Sequence, residues 1–285
     1  MNATSSAVTP RSSTPFTEIR PGKGLFDLDL RGLWQYRELM WILVGRDLKV
    51  MYRQAALGAA WAILQPLFAV AIFTVVFGIF GRFSSEGVPY PVFALAAILP
   101  WTYFSEGVRR SGTGLVNEGD LIRKIYFPRL VISLSGVITP LVDFAITFVV
   151  LLAMMLWYGV MPTWQIVMVI PLLAVTGLLA LAIGLWIGPI NVRFRDIKHT
   201  LPFVLQVWMY GSPIIYPLSM IPDRWKALYS LNPIVGIIEG FRWAILGKGD
   251  VNVMAIGISA ALIVVLLITG LIFFKRMERS FADLI

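Results

Sequence analysis

The chain has 285 residues, 58% of them apolar and 14% charged, with a formal net charge of +8 and no cysteine. Six long apolar stretches occupy most of that length and leave no room for a soluble catalytic domain, while the missing Cys excludes disulfides, thiolate metal sites and a cysteine nucleophile. Membrane topology and attraction to anionic lipid account for the basic surplus, so no nucleic-acid partner is needed to explain it.

Residues 1–30 are rich in Ser, Thr and Pro and lack the apolar core of a signal peptide. They predict a disordered cytosolic tail, with insertion starting from an internal span. Residues 31–54 predict an amphipathic helix. At 100° per residue Leu33, Tyr36, Met40, Leu43, Val44 and Met51 share one side, with Gln35, Glu38, Arg46, Lys49 and Arg53 roughly opposite. Arg37, Ile42 and Asp47 break the pattern. A basic helix carrying Trp34 and Trp41 suits the headgroup layer; the alternative is a plain cytosolic extension of the first span.

Residues 55–274 predict an all-α transmembrane unit. Its six spans are Ala55–Phe80, Val88–Phe104, Leu130–Tyr158, Gln165–Val192, Leu201–Ile221 and Val251–Phe274, each about the length a helix needs to cross a bilayer. Residues 275–285 follow as a short C-terminus. Cytoplasmic segments retain Lys and Arg. Nineteen of the 24 basic residues lie before the first span, between spans two and three, between four and five, or after the sixth. Only Arg82, Arg224, Lys226, Arg242 and Lys248 lie opposite, so both termini are expected in the cytosol.

Within the spans, Ala55, Ala56, Gly58, Ala59 and Ala60 permit close helix approach. Pro66 and Pro100 predict bends. The one charged side chain in any span is Asp143. Two readings stay open for it: a proton-coupling group, or a carboxyl group hydrogen-bonded to neighbouring helices. The lone His199 borders the cytosol and makes no metal site.

Two connections carry pattern. Gly112–Arg129 is too long for a tight turn, and Asn117–Pro128 offers a short helix with acidic residues first and basic residues last. Leu121, Ile122, Ile125 and Phe127 give it an apolar side rimmed with charge, a candidate docking surface. Pro217–Asp250 is strongly apolar and predicts two short helical pieces around Leu231-Asn232-Pro233, partly re-entrant, with Glu239 and Arg242 paired one turn apart.

Catalytic patterns are missing. No phosphate-binding Gly-x-x-x-x-Gly-Lys-[Ser/Thr] loop, no His-Glu-x-x-His and no Gly-x-Ser-x-Gly occurs, and Glu118 with Asp120 is too sparse a set of carboxylates for a metal. The chain is therefore expected to be no enzyme, to hold no cofactor or metal, and to be unable to hydrolyse ATP alone.

Six separated segments, in order, carry a family resemblance. They are Leu57-Gly58-Ala59-Ala60-Trp61 with Leu64-Gln65-Pro66, Leu121–Arg129, Arg195-Asp196-Ile197, Ser212–Pro217, Leu231-Asn232-Pro233 and Glu278–Asp283. With them the chain, from about residue 31 to its end, resembles the membrane subunits of type-2 ATP-binding-cassette exporters of lipid-linked polysaccharide such as O-antigen, capsule and teichoic acid. The resemblance implies a homodimer of six-helix subunits in the bacterial inner membrane, each bound to a separate cytosolic ATPase that carries the ATP and Mg. It implies a coupling helix over Asn117, Glu118, Asp120, Leu121, Ile122, Arg123, Lys124 and Tyr126. It also implies an interfacial helix at Arg31–Arg53 and periplasmic gate helices near Asn232, Pro233, Glu239 and Arg242. The path would run between copies of spans one and five. Aromatic rings suit a sliding sugar chain, so Trp61, Phe68, Trp208, Tyr210 and Tyr216 are candidate lining residues; ordinary helix packing is the alternative for each. O-antigen is the first expectation for the cargo; another lipid-linked glycan, or small lipids or drugs, is the rival.

Overall fold

The computed structural model describes residues 30–53, 60–247, 253–278 and 281, and among these it is all-helical. The expected tail, the small residues before Ala60 and most of the C-terminal segment lie outside the described residues.

Helices α1 (Leu30–Gln35) and α2 (Arg37–Arg53) form one nearly continuous rod. The turn at Tyr36 keeps helical bonding, with the amides of Tyr36 and Met40 donating to Gly32 and Tyr36 at 3.1 Å. The expected apolar face is the packed one: Leu43 and Val44 are buried, and Leu33, Tyr36, Met40 and Met51 half-buried, while Trp34 and Trp41 project outward. Asp47 falls on the covered side because it has ionic partners there.

Helix α3 (Ala60–Phe73) continues as a π-helix over Thr74–Phe80. Pro66 removes the amide that would serve the Ala62 carbonyl. That carbonyl accepts instead from the Thr147 hydroxyl, at a long 3.5 Å, on α7 (Leu141–Trp157).

The centre is α4 (Tyr90–Asn117), 28 residues long and so roughly 42 Å at helical rise. Hydropathy places the end of the span at Phe104, yet the helix runs on for thirteen residues and takes up the first third of the expected connection from Gly112. Glu106, Arg109 and Arg110 cause the discrepancy. They are spaced to pair along one helix face, which sustains helix while ending apolarity. Helix α5 (Gly119–Lys124) is accordingly shorter than expected, and Asn117 belongs to α4.

The third apolar run is two helices, α6 (Leu130–Ile138) and α7, joined at Thr139-Pro140. A short 3-10 turn (Trp164–Met168) leads into α8 (Val169–Arg193), followed by α9 (Ile197–Tyr210), α10 (Asp223–Ser230), α11 (Pro233–Leu246) and α12 (Val253–Glu278). Helix α4 packs on α8, α6, α11 and α7, and α8 on α12, so one continuous apolar core surrounds α4.

Four stretches among the described residues are long and apolar enough to cross a bilayer: Ala60–Phe80, Leu130–Trp157, Trp164–Arg193 and Ile256–Glu278. Of the other two expected spans, α4 is long enough but charged at its end. The expected Leu201–Ile221 span stays helical only to Tyr210. Pro213 and Pro217 force the residues before them toward extended backbone.

Gly136 sets how closely α6 meets α4, since a Cβ there would lie 2.7 Å from the Ser111 backbone nitrogen. Gly136→Val is expected to destabilise the protein by about 3 kcal/mol, the upper end for overpacking, outweighing a helix-propensity gain below ~1 kcal/mol. Thermal unfolding in detergent measures this, and an unchanged midpoint would mean that the two helices part easily.

Candidate functional site

At one end of the molecule, α5 and the strip after it form the expected docking surface. Asn117, Asp120, Arg123 and Lys124 are exposed. Leu121 and Ile122 are half-buried against the chain's own core, so the sequence overstates their projection. The large apolar groups that do project are Ile125, 52% exposed, and Tyr126, 68% exposed. Beside them a cleft of about 180 Å³ joins Asn117, Asp120 and Arg123 to Arg195, bringing two separated motifs together.

Glu118 begins a ladder of alternating charge. Arg46 of α2 donates to both its carboxylate oxygens, one at 2.8 Å, and at 2.9 Å to Asp47. The Glu118 carboxylate is the main reason that the Arg46 guanidinium holds its proton more tightly than usual. Asp47 faces Arg110 at 3.9 Å; Arg110 and Arg109 both hold Glu106, at 2.7 and 2.5 Å. Exposed ion pairs contribute little stability singly. Their arrangement matters more here: a two-pronged guanidinium–carboxylate pair fixes direction as well as distance. A second tie runs from the Tyr36 hydroxyl to the Tyr126 carbonyl at 3.2 Å. The rod α1–α2 is thus fastened to both ends of the α5 segment.

The last residue but one of α2 reaches deeper. The Tyr52 hydroxyl donates to Asp143 at 2.5 Å, which fits the hydrogen-bonded reading of that carboxyl group. Both line a cavity of about 590 Å³ between α3, α4 and α7, with Trp61, Gln65, Arg109 and Arg110. Sequence gives no sign of this pairing because 91 residues separate its members.

At the opposite end, Asn232 caps α11. Its side-chain oxygen accepts from the Ile234 amide at 3.3 Å and from the Trp208 ring N–H at 2.9 Å, and its nitrogen donates to Ser212 at 3.0 Å. Pro233 opens the helix and Gly247, at φ 65°, closes it in the left-handed conformation. The Ser212–Pro217 and Leu231–Pro233 motifs therefore meet in space. Glu239 and Arg242 pair at 3.1 Å, as their spacing predicts. Sequence reasoning missed Tyr90, whose hydroxyl donates to the Ile215 carbonyl at 2.8 Å, and Tyr229, whose hydroxyl lies 2.6 Å from that of Tyr216. Neither spacing nor hydropathy marks them.

The candidate lining residues divide into two sets. Trp61, Phe68 and Tyr210 are exposed on the single subunit. Trp208 is half-buried, its ring centre 5.3 Å from Phe104 and 6.5 Å from Trp101, and Tyr216 is held by Tyr229. The C-terminal motif is also tied in: Arg129 donates to the Glu278 carbonyl and stands 5.5 Å from the Phe281 ring centre.

Four apolar stretches of crossing length among the described residues define a multi-pass membrane protein. Residues 38–246 match the family described as ABC-2 type transporter, and the chain belongs to that family of transporter membrane subunits. It is 32% identical to the O-antigen export system permease protein RfbA of Myxococcus xanthus, over 89% of this chain and 98% of that one. It is 27% identical to a protein of the same name from Klebsiella pneumoniae, over 87% and 95%. Identity to the polysialic acid transport protein KpsM of Escherichia coli is 25%, over 82% and 92%.

Proposed function

We propose that this chain is the membrane permease of an ATP-driven exporter that moves lipid-linked polysaccharide, O-antigen first among the candidates, across the bacterial inner membrane. The carrying observation is the similarity to an O-antigen permease, 32% identical along 98% of that relative. In this reading two copies assemble, each with a cytosolic ATP-binding-cassette subunit that holds ATP and Mg, and the permease itself holds no cofactor. Helix α5 with Ile125 and Tyr126 seats on the ATPase. The α1–α2 rod lies at the cytosolic interface, and α10 and α11 form the periplasmic gate. Spans two and five are completed by the apolar part of α4 and by α9 with its irregular continuation.

A strain lacking this chain is the direct test. Lipid-linked polymer should accumulate inside and surface polymer disappear, with both restored by the gene. Normal surface polymer in the deletion strain, with a lipid or drug retained instead, overturns the reading.

Orientation has its own prediction. Reporters fused after Ser84, Trp164 and Arg224 should read as periplasmic, and those after Glu118, Lys198 and the C-terminus as cytosolic, following the basic-residue split. One reversed position breaks the six-span arrangement.

A further inference from the structure

The apolar run from Leu201 to Ile221 does not remain a helix, and its irregular part is held in an unusual way. Residues 211–217 read Gly-Ser-Pro-Ile-Ile-Tyr-Pro, and two of the seven have no amide hydrogen. Ser212, Pro213, Ile214, Ile215 and Pro217 are all buried. Irregular backbone at membrane depth survives only where its polar groups find partners in protein or water. Three successive carbonyls here find side chains. Arg242 donates to Ile214 at 2.8 Å through one terminal nitrogen and to Tyr216 at 3.3 Å through the other, and Tyr90 donates to Ile215.

Arg242 is 4% exposed, pairs with Glu239 and lies with its guanidinium carbon 3.9 Å from the Phe93 ring centre. A buried charge is costly and survives only when partnered; both terminal nitrogens of Arg242 are hydrogen-bonded, while its Nε is not. Ion pairing alone could be supplied by Lys. Bridging carbonyls two residues apart while also pairing with a carboxylate calls for the rigid, planar fork of guanidinium. Phe93 on α4 provides a fixed floor, since it is fully buried.

We propose that Arg242 is a positioning residue, a clamp that joins α11 to the broken end of the fifth span and, together with Tyr90 of α4, holds segment 211–217 in place. Tyr216 is thereby held beside α11, its carbonyl accepting from Arg242. This rests on the reading of α11 as the periplasmic gate; the clamp itself does not depend on what is exported.

The chain has no cysteine, so single thiols report without background. Ile214→Cys and Ile215→Cys each place one thiol in the pinned segment, and a membrane-impermeant cationic methanethiosulfonate added to the assembled exporter in cells reads its exposure. Both should label slowly in the parent. Arg242→Gln should speed labelling at Ile214→Cys by at least about tenfold, the change expected in an opening equilibrium when a charge-assisted hydrogen bond is lost. Arg242→Lys should do the same, because it retains charge and loses the fork. Tyr90→Phe should expose Ile215→Cys and leave Ile214→Cys slow. Parental labelling of Ile214→Cys in Arg242→Lys, or of Ile215→Cys in Tyr90→Phe, overturns the clamp, even if Arg242→Gln fails to insert. Labelling does not involve the cargo, so a failed polysaccharide assay with faster labelling would count against the proposed substrate and leave the clamp standing.

Discussion

Replacing Ile125 and Tyr126 together by Asp is expected to abolish ATP-driven export while the permease still inserts and folds. The two side chains are the large apolar groups left projecting beside α5, more than half exposed among the described residues. Apolar groups buried at the centre of a protein interface typically cost 2 kcal/mol or more each when removed. Placing carboxylates there adds desolvation, so affinity for the ATPase should fall by about a hundredfold or more. Leu121 and Ile122 make a poorer test, because they are half-buried against the chain's own core and Asp there would disturb folding as well as docking. Co-purification of the ATPase and surface polymer are the readouts. Retention of both in the double variant would show that the partner docks elsewhere.

The α1–α2 rod was legible in the sequence because its six predicted face residues repeat at helical spacing, and four of them, Leu33, Tyr36, Met40 and Leu43, pack into the core. Asp47 read as a break for want of its partner, Arg110, which lies 63 positions further on; no local pattern reports such a pair. Helix α4 shows the converse error. Hydropathy marks where apolar residues stop, whereas the helix stops where its backbone bonding stops, and Glu106, Arg109 and Arg110 stabilise it past the apolar limit. In the fifth run apolar composition concealed a break that Pro213 and Pro217 could have announced. On α11, the one-turn spacing of Glu239 and Arg242 gave the ion pair, but the larger part of Arg242's bonding goes to carbonyls 26 and 28 residues away. Short-range chemistry was readable, and side chains that serve distant backbone were not.

Single substitutions of Trp61, Phe68 or Tyr210 by Ala are each expected to slow export by about fivefold, the worth of roughly 1 kcal/mol per aromatic contact, and the triple substitution by about a hundredfold. Two exposed stripes motivate this. On α3, Trp61, Gln65, Phe68 and Ile72 recur at three- and four-residue spacing and remain exposed; on α9, Phe203, Val207 and Tyr210 do the same. A polymer has to pass many positions in turn, so weak and roughly additive contacts serve it better than one tight site. Trp61→Phe should be mild, since a ring face is retained. Trp208→Ala should behave differently: loss of its hydrogen bond to Asn232 and of its packing on Phe104 would lower stability before it altered transport. Cysteines placed at Trp61, Phe68 and Tyr210 should react with polar thiol reagents in the cycling exporter. If all three stay unreactive, these stripes face lipid or packed protein, and the sugar chain travels by another route.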